Sequence, residues 1–221
     1  MEKIDFKKID KPLYSGKVGR FDRLYVPRQT FLMIDGAGDP NTDLRYARAL
    51  AALYGLAYPI KFALKRSVMR DHVVPPLEGL WWADDMDSFV TRRKTDWKWT
   101  MCLRQPDEVT ADLLEGIRAE SIAKNAKKKD APTDTETLQR VRLETFEEGD
   151  VVQTLHVGPY DDEGPVLAHL HDNVIPQMGL AMRGRHHEIY LSDVRRTAPE
   201  KLKTILRQPV APSGGPEHGD Q

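Results

Sequence analysis

Cysteine is almost missing from this chain: Cys102 is the only one in 221 residues. One thiol closes no internal disulfide and builds no cysteine zinc site, as expected of a protein kept in a reducing compartment. A surplus of charge is missing too. Lys and Arg total 33 against 34 Asp and Glu, a net charge of -1, so the basic excess of a protein that lives on phosphate backbones is absent and nucleic acid is not an expected partner. No apolar run approaches the roughly 20 residues that span a bilayer, so no membrane partner is expected either. The opening Met1-Glu2-Lys3-Ile4-Asp5-Phe6-Lys7-Lys8 lacks the apolar stretch of a secretory leader, and the expected location is the cytoplasm. What remains is 40% hydrophobic and 30% charged, an ordinary globular composition with enough length for a sizeable core.

Residues 1 to 27 mix Lys, Asp, Pro and Gly without periodicity and read as an extended arm. Thr30 to Asp35 is a strand stopped by Gly36-Ala37-Gly38-Asp39-Pro40, and a helix follows over Leu44, Ala47, Leu50, Ala51 and Tyr54. Tyr58 to Leu64 reads as a strand, with Pro59 at an edge or bulge. Glu78 to Trp82 and Asp96 to Leu103 read as a hairpin with a long loop. Pro106-Asp107-Glu108 opens a helix through Val109, Leu113, Leu114, Ile117 and Ile122. Lys124 to Asp134 is a solvated helix end and linker, without the interleaved aromatics of a nucleic-acid patch. Val141 to Phe146 and Asp150 to Val157 read as a second hairpin. Gly158-Pro159-Tyr160 is a turn before a helix over Val166, Leu167, Leu170, Val174 and Ile175. His186 to Ser192 is a strand, and Thr197-Ala198-Pro199-Glu200 starts a last helix carrying Leu202, Ile205 and Leu206. From Pro209 to Gln221 the tail has no apolar face and reads as disordered.

The order strand, Gly/Pro turn, helix, strand occurs twice, in halves of about 28–130 and 140–208, with extra residues in the first copy around 62–95. An internal duplication explains this, although α+β domains also repeat such orders by chance. The expected fold is α+β: duplicated β-sheet/helix modules related by a pseudo-twofold, helices on one face of each sheet, and a central cleft suited to a small molecule.

Strand alternation assigns faces. Trp97, Trp99 and Met101 share one face, while Glu78, Leu80 and Trp82 share another with Trp81 opposite. On the strand from His186, Glu188 and Tyr190 lie together, and the Ile189/Leu191 face is the one expected to pack on helices. An aromatic cleft with one carboxylate suits a flat, apolar and even cationic ligand. The same patterns fit an aromatic core and a surface Glu paired with Arg185. Other motifs carry less. His186-His187-Glu188 points its neighbours to opposite faces and lacks the HExxH arrangement, and His169 and His171 fall on different helix faces, so no metal site is expected. Cys102 has no base beside it in sequence, and Gly36-Ala37-Gly38 lacks the following GK[ST] of a phosphate loop, so no cofactor is expected.

Several segments in combination resemble the stand-alone GyrI-like small-molecule-binding proteins. They are the opening eight residues, Phe31-Leu32-Met33-Ile34-Asp35-Gly36-Ala37-Gly38-Asp39-Pro40-Asn41, Pro76-Leu77-Glu78-Gly79-Leu80-Trp81-Trp82, and His186-His187-Glu188-Ile189-Tyr190-Leu191-Ser192-Asp193 with Arg195-Arg196. The resemblance spans about residues 1–208, and Gly158-Pro159-Tyr160 is similar to the wider superfamily, which includes effector domains of multidrug-sensing transcription regulators. It implies two fused modules around a shared cleft and capture of bulky aromatic compounds, often cationic, by aromatics and a buried glutamate. Some stand-alone members are cyclopropanoid cyclopropyl hydrolases, which detoxify DNA-alkylating compounds.

On that resemblance Glu188 and Tyr160 are the candidate catalytic residues, Glu188 as general base on a water and Tyr160 as its orienter or donor to the developing phenolate. Trp82, Trp97, Trp99, Met101, Tyr190 and Tyr58 are the candidate ligand contacts. A non-catalytic binder that pairs an ionised Glu188 with a cationic drug is the competing expectation, and the sensor module of a transcription regulator is a third. The expected partner is an aromatic small molecule; the residues say nothing of oligomeric state.

Overall fold

A computed structural model describes residues 3–67, 71–85 and 87–214. In chain order the strands are β1 (Lys3–Ile4), β2 (Asp22–Val26), β3 (Gln29–Ala37), β4 (Asp71–His72), β5 (Leu77–Trp82), β6 (Lys98–Gln105), β7 (Arg142–Phe146), β8 (Gly149–Val157), β9 (Leu180–Met182), β10 (His186–Tyr190) and β11 (Lys203–Pro212). The helices are α1 (Phe6–Ile9), α2 (Leu44–Ser67), α3 (Asp87–Val90), α4 (Ala111–Asn125), α5 (Thr135–Arg140), α6 (Gly164–His169) and α7 (Ile175–Gln177), with a π turn over Leu170–Val174 joining the last two. No described helix is long and apolar enough to cross a membrane. The chain divides into two compact units: Met1–Ile9 with Gln29–Phe146, and Asp10–Arg28 with Glu147–Gln221.

Unit 1 is an antiparallel sheet in the order β5-β6-β3-β7, with α2 across one face and the short parallel pair β1-β4 beside it. Ala49, Leu53, Leu56 and Ile60 form the buried stripe of α2, at the spacing of a helix face. They pack on the side of the sheet that carries Leu32, Ile34, Trp99, Met101 and Leu103, all buried. The other side clusters Phe31, Met33, Leu80 and Cys102, with Phe146 stacked on Phe31 at 5.1 Å. Cys102 is thus a buried apolar side chain.

Unit 2 runs β10-β11-β8-β2, with β9 pairing the end of β11. Leu170 and Ile175 from the helical segment pack with Val152, Leu180 and Val210. Laying β3 on β8 superposes the two sheet orders: β5 falls on β10, β6 on β11 and β7 on β2. The paired residues also agree. The row Gly79–Met101–Ile34 of unit 1 corresponds to Glu188–Leu206–Thr154 of unit 2, and Trp81–Trp99–Gly36 to Tyr190–Thr204–His156.

Five sequence expectations are corrected. Tyr58 to Leu64 is not a strand. It continues α2, because Ile60 and Leu64 extend the buried stripe begun by Leu53 and Leu56, and that burial outweighs the hydrogen bond Pro59 cannot donate. The helix expected from Thr197 is a single turn over Pro199–Lys201, after which the chain extends into β11. A central strand buried on both faces shows a continuous apolar run, which mimics a buried helix. Pro209–Pro212, read as tail, belong to β11, and 215–221 of that tail lie outside the described residues. The helix expected from Pro106 begins at Ala111, where the Thr110 hydroxyl accepts from the Leu113 amide at 3.2 Å. Finally, β7 and β8 make no hairpin with each other: β7 pairs with β3, and β8 with β2 and β11. Links of Pro27-Arg28 before β3 and Glu147-Glu148 before β8 lack the Asn/Gly pairs of a two-residue hairpin. Each edge strand therefore joins the sheet of the unit that does not contain the next strand in the chain.

Candidate functional site

In unit 2, β10 carries His186, Glu188 and Tyr190 on one face. The Tyr190 hydroxyl donates to Glu188 Oε2 at 2.7 Å, and His186 Nε2 lies 3.5 Å from Glu188 Oε1. The carboxylate is thus held by a hydrogen bond at Oε2, with an imidazole near Oε1, and its side chain is 14% exposed. Tyr160 meets the Tyr190 ring edge-on, with centroids 5.5 Å apart. The turn that delivers it needs Gly158, whose φ is +144°, and the fixed ring of Pro159. His156 Nε2 lies 3.1 Å from the Pro159 carbonyl, and the Gly158 amide donates to Leu202 O at 3.0 Å, so the turn is tied down on both sides.

Burial, together with the carboxylates of Glu163, Glu188 and Asp193, pushes the Tyr160 hydroxyl up to about 12. Tyr160 is therefore a hydrogen-bond donor at every physiological pH, never a base. Hydrogen bonds from Arg195 hold Asp193 down at about 2, so it stays a fixed negative charge. Behind Glu188, the rings of His171 and His186 lie 6.1 Å apart, and burial and His186 lower the His171 imidazole to about 4, leaving it neutral. The helical segment lies on the same side of the sheet as this group, since Val152 and Val210 share its strand parity. This corrects the expectation that helices take the Ile189/Leu191 face. The Ile189 side is packed by the arm, where Gly16 sits against Leu155 and Ile205.

The tryptophans belong to unit 1, and the β5–β6 register separates them. Trp81 lies opposite Trp99, on the α2 side, and Trp82 lies opposite Lys98, on the other. Trp97, Trp99 and Met101 are buried on the α2 side with Trp81. The Trp99 ring lies over the backbone of Gly36, where a Cβ would come within 2.0 Å of it, and Tyr46 of α2 meets it edge-on at 5.1 Å. The Trp97 indole donates to Ser88 O at 3.2 Å and stacks on Phe89 at 4.8 Å. Tyr58 is 48% exposed on α2. Among the expected site residues, then, unit 2 brings together Glu188, Tyr190 and Tyr160, while unit 1 holds Trp97, Trp99 and Met101 as core.

One buried group gave no sequence signal. Glu148 Oε1 lies 2.9 Å from His187 Nδ1, and Glu148 Oε2 accepts from Arg207 Nη1 at 2.9 Å. Arg207 also donates to Gln153 Oε1 and to the Leu13 carbonyl, and the Gln153 amide donates to the carbonyls of Pro12 and Ser15. Burial works to raise the Glu148 carboxyl, but the charges and hydrogen bonds of His187 and Arg207 outweigh it and keep it ionised. Its place in Glu147-Glu148-Gly149 reads as a solvated turn, so only the structure shows it clamping the arm to the sheet. No group of three or more His, Cys, Asp or Glu able to hold a metal occurs among the described residues.

Comparison with known proteins bears on this arrangement. Residues 22–211 match the model of the GyrI-like small molecule binding domain. The crystal structure of an uncharacterized conserved protein from Listeria innocua is 42% identical, with a TM-score of 0.83, covering 95% of this chain and all of that one. A hydrolase from Listeria innocua is 41% identical with a TM-score of 0.79 and the same coverage. The C-terminal domain of EcmrR shares the fold at 12% identity and a TM-score of 0.51, over 87% of this chain and 98% of that one. No curated protein matches. The chain belongs to the GyrI-like family of small-molecule-binding domains.

Proposed function

We propose that the protein is a hydrolase of reactive, flat aromatic compounds, cyclopropane-bearing genotoxins among them, and that Glu188 is its general base. The observation that carries this reading is the Glu188 carboxylate, shielded from bulk water and held by Tyr190 at 2.7 Å, with the Tyr160 ring packed edge-on against Tyr190. A full-length relative called a hydrolase at 41% identity supports it. In the reaction, a water attacks the least hindered carbon of a cyclopropane fused to a dienone. The strained C–C bond breaks and its electron pair becomes a phenolate. Glu188 removes the proton from the attacking water through Oε1 and then releases it to solvent, while a proton from solvent neutralises the phenolate, so the sum is the addition of one water. Tyr160 donates a hydrogen bond to the oxygen where charge develops, which a donor can do at any pH below its own ionisation. Tyr190 fixes the carboxylate rather than reacting. Within unit 2, Tyr160 and Tyr190 supply the ring contacts.

The test is to incubate the purified protein with a duocarmycin-type cyclopropane and follow products by mass spectrometry. A water adduct forming at least tenfold faster than in buffer, and lost in Glu188→Gln, is expected. Binding without any adduct would make the protein a sequestering binder and end the hydrolase reading.

A further inference from the structure

Unit 1 has a recess of about 320 Å³ whose lining includes Trp82, Trp99, Arg45, Lys98, Arg140 and Asp35, with Trp82 and Lys98 from one side of the sheet and Trp99 from the other. Its charges are unequally engaged. The Asp35 carboxylate is spent, since Oδ1 accepts from Thr100 Oγ1 at 2.6 Å and Oδ2 from Arg142 at 2.8 Å. Arg45 is chelated by Asp43 at 2.5 and 2.9 Å. Lys98 touches Asp84 at 2.6 Å, but that carboxylate is 82% exposed and is readily exchanged for another anion. Arg140 donates only to the Asp35 backbone carbonyl at 2.5 Å and has no carboxylate in ion-pair range among the described residues. Trp99, 1% exposed, keeps its indole N–H without an acceptor among the described residues. A buried donor of that kind costs stability until something accepts from it.

We propose that this recess binds an aromatic acid: a flat one- or two-ring carboxylate, sulfonate or phosphate, its anion against Arg140 and Lys98 and its ring on Trp82. A guanidinium and an ammonium lining one recess favour an oxyanion, and the indole favours a ring. The cations that line it, Arg45, Lys98 and Arg140 against the single carboxylate of Asp35, disfavour a cationic ligand here. The proposal is independent of the hydrolase reading, which concerns unit 2.

Calorimetric titration with 2-naphthoate, 2-naphthamide and 2-naphthylmethylammonium tests it, since the three probes differ mainly in charge. Naphthoate is expected to bind at least tenfold more tightly than the amide, the ammonium most weakly, with a preference that shrinks as salt rises. Arg140→Gln should remove the preference while leaving amide binding unchanged, Lys98→Gln should reduce it about threefold, and Trp82→Leu should weaken all three probes. Glu188→Gln should leave naphthoate binding as it is, which places the site in unit 1. Absence of binding to millimolar naphthoate, equal affinity for acid and amide, or a preference that survives in both folded Arg140→Gln and Lys98→Gln would overturn the proposal.

Discussion

At equivalent sheet positions the two units carry opposite chemistry. Where unit 1 has Gly79, unit 2 has Glu188; where unit 1 has Trp81 and Trp99 in a row with Gly36, unit 2 has Tyr190 and Thr204 in a row with His156. A side chain on Gly79 would start 2.8 Å from the Trp81 indole nitrogen and 3.2 Å from Met101, so unit 1 gives that space to aromatic packing. Unit 2 has the smaller Tyr190 and Thr204 there and has room for a carboxylate with a phenol at 2.7 Å. One scaffold thus supports an aromatic core in one unit and a hydrogen-bonded carboxylate and phenol in the other. The lesson is that the size of the cross-strand partner decides which one a position can hold.

The largest expected effect comes from forcing that trade in unit 1. Gly36→Ala places a Cβ 2.0 Å from the Trp99 ring, with neither the ring nor the strand free to yield, and should destabilise by about 3 kcal/mol. Denaturant midpoints would show it, and an unchanged midpoint would mean the ring is loosely seated. Comparable in size is Glu148→Gln in unit 2, which leaves Arg207 buried without its anion and should cost about 3 kcal/mol. Loss of the arm's protection from proteolysis should accompany it, since Arg207 and Gln153 hold the arm carbonyls.

Each unit also contains a histidine that its surroundings keep neutral, buried His72 in unit 1 and half-buried His171 in unit 2. Burial and Lys61 lower His72 in unit 1 to about 4, against the opposing pull of Asp71; burial and His186 lower His171 in unit 2 to the same value. Between pH 6.5 and 4 the unfolded chain takes up protons at these positions and the folded chain does not, so stability falls as pH falls through that window. The two together should account for on the order of 2 kcal/mol after allowance for solvent screening. His72→Leu and His171→Leu should each flatten part of the curve. A stability profile unchanged from pH 6.5 to 4 would show both already protonated. The smallest effect distinguishes holding from reacting: Tyr190→Phe removes one hydrogen bond to Glu188, about 1 kcal/mol, and should slow turnover roughly tenfold or less without moving the affinity for substrate.

The sequence reveals much of this arrangement where the signal is local. Strands β3, β5, β6, β8 and β10 follow from apolar alternation, and the two-residue spacing of Glu188 and Tyr190 already places them on one face. Failures occur where distant parts of the chain decide. The second half of α2 is helical because the unit 1 sheet buries Ile60 and Leu64, β11 is extended because β8 and β10 flank it, and β2 and β7 take partners far away in sequence. The choice of helix side in unit 2 turned on Val152 and Val210 rather than on Ile189, which no pattern within β10 reveals. Glu148 is hidden for the same reason, its partners lying 39 and 59 residues away.

The account stands most directly on Glu188 as the base, and one measurement addresses it. A cyclopropane substrate is turned over in water carrying a heavy oxygen isotope, with wild type and Glu188→Gln compared at protein excess and binding checked by tryptophan fluorescence. Heavy oxygen in the ring-opened product of wild type, with at least a hundredfold slower incorporation by a Glu188→Gln protein that still binds, is the predicted result. Equal incorporation by both, or a product free of the label, would contradict it.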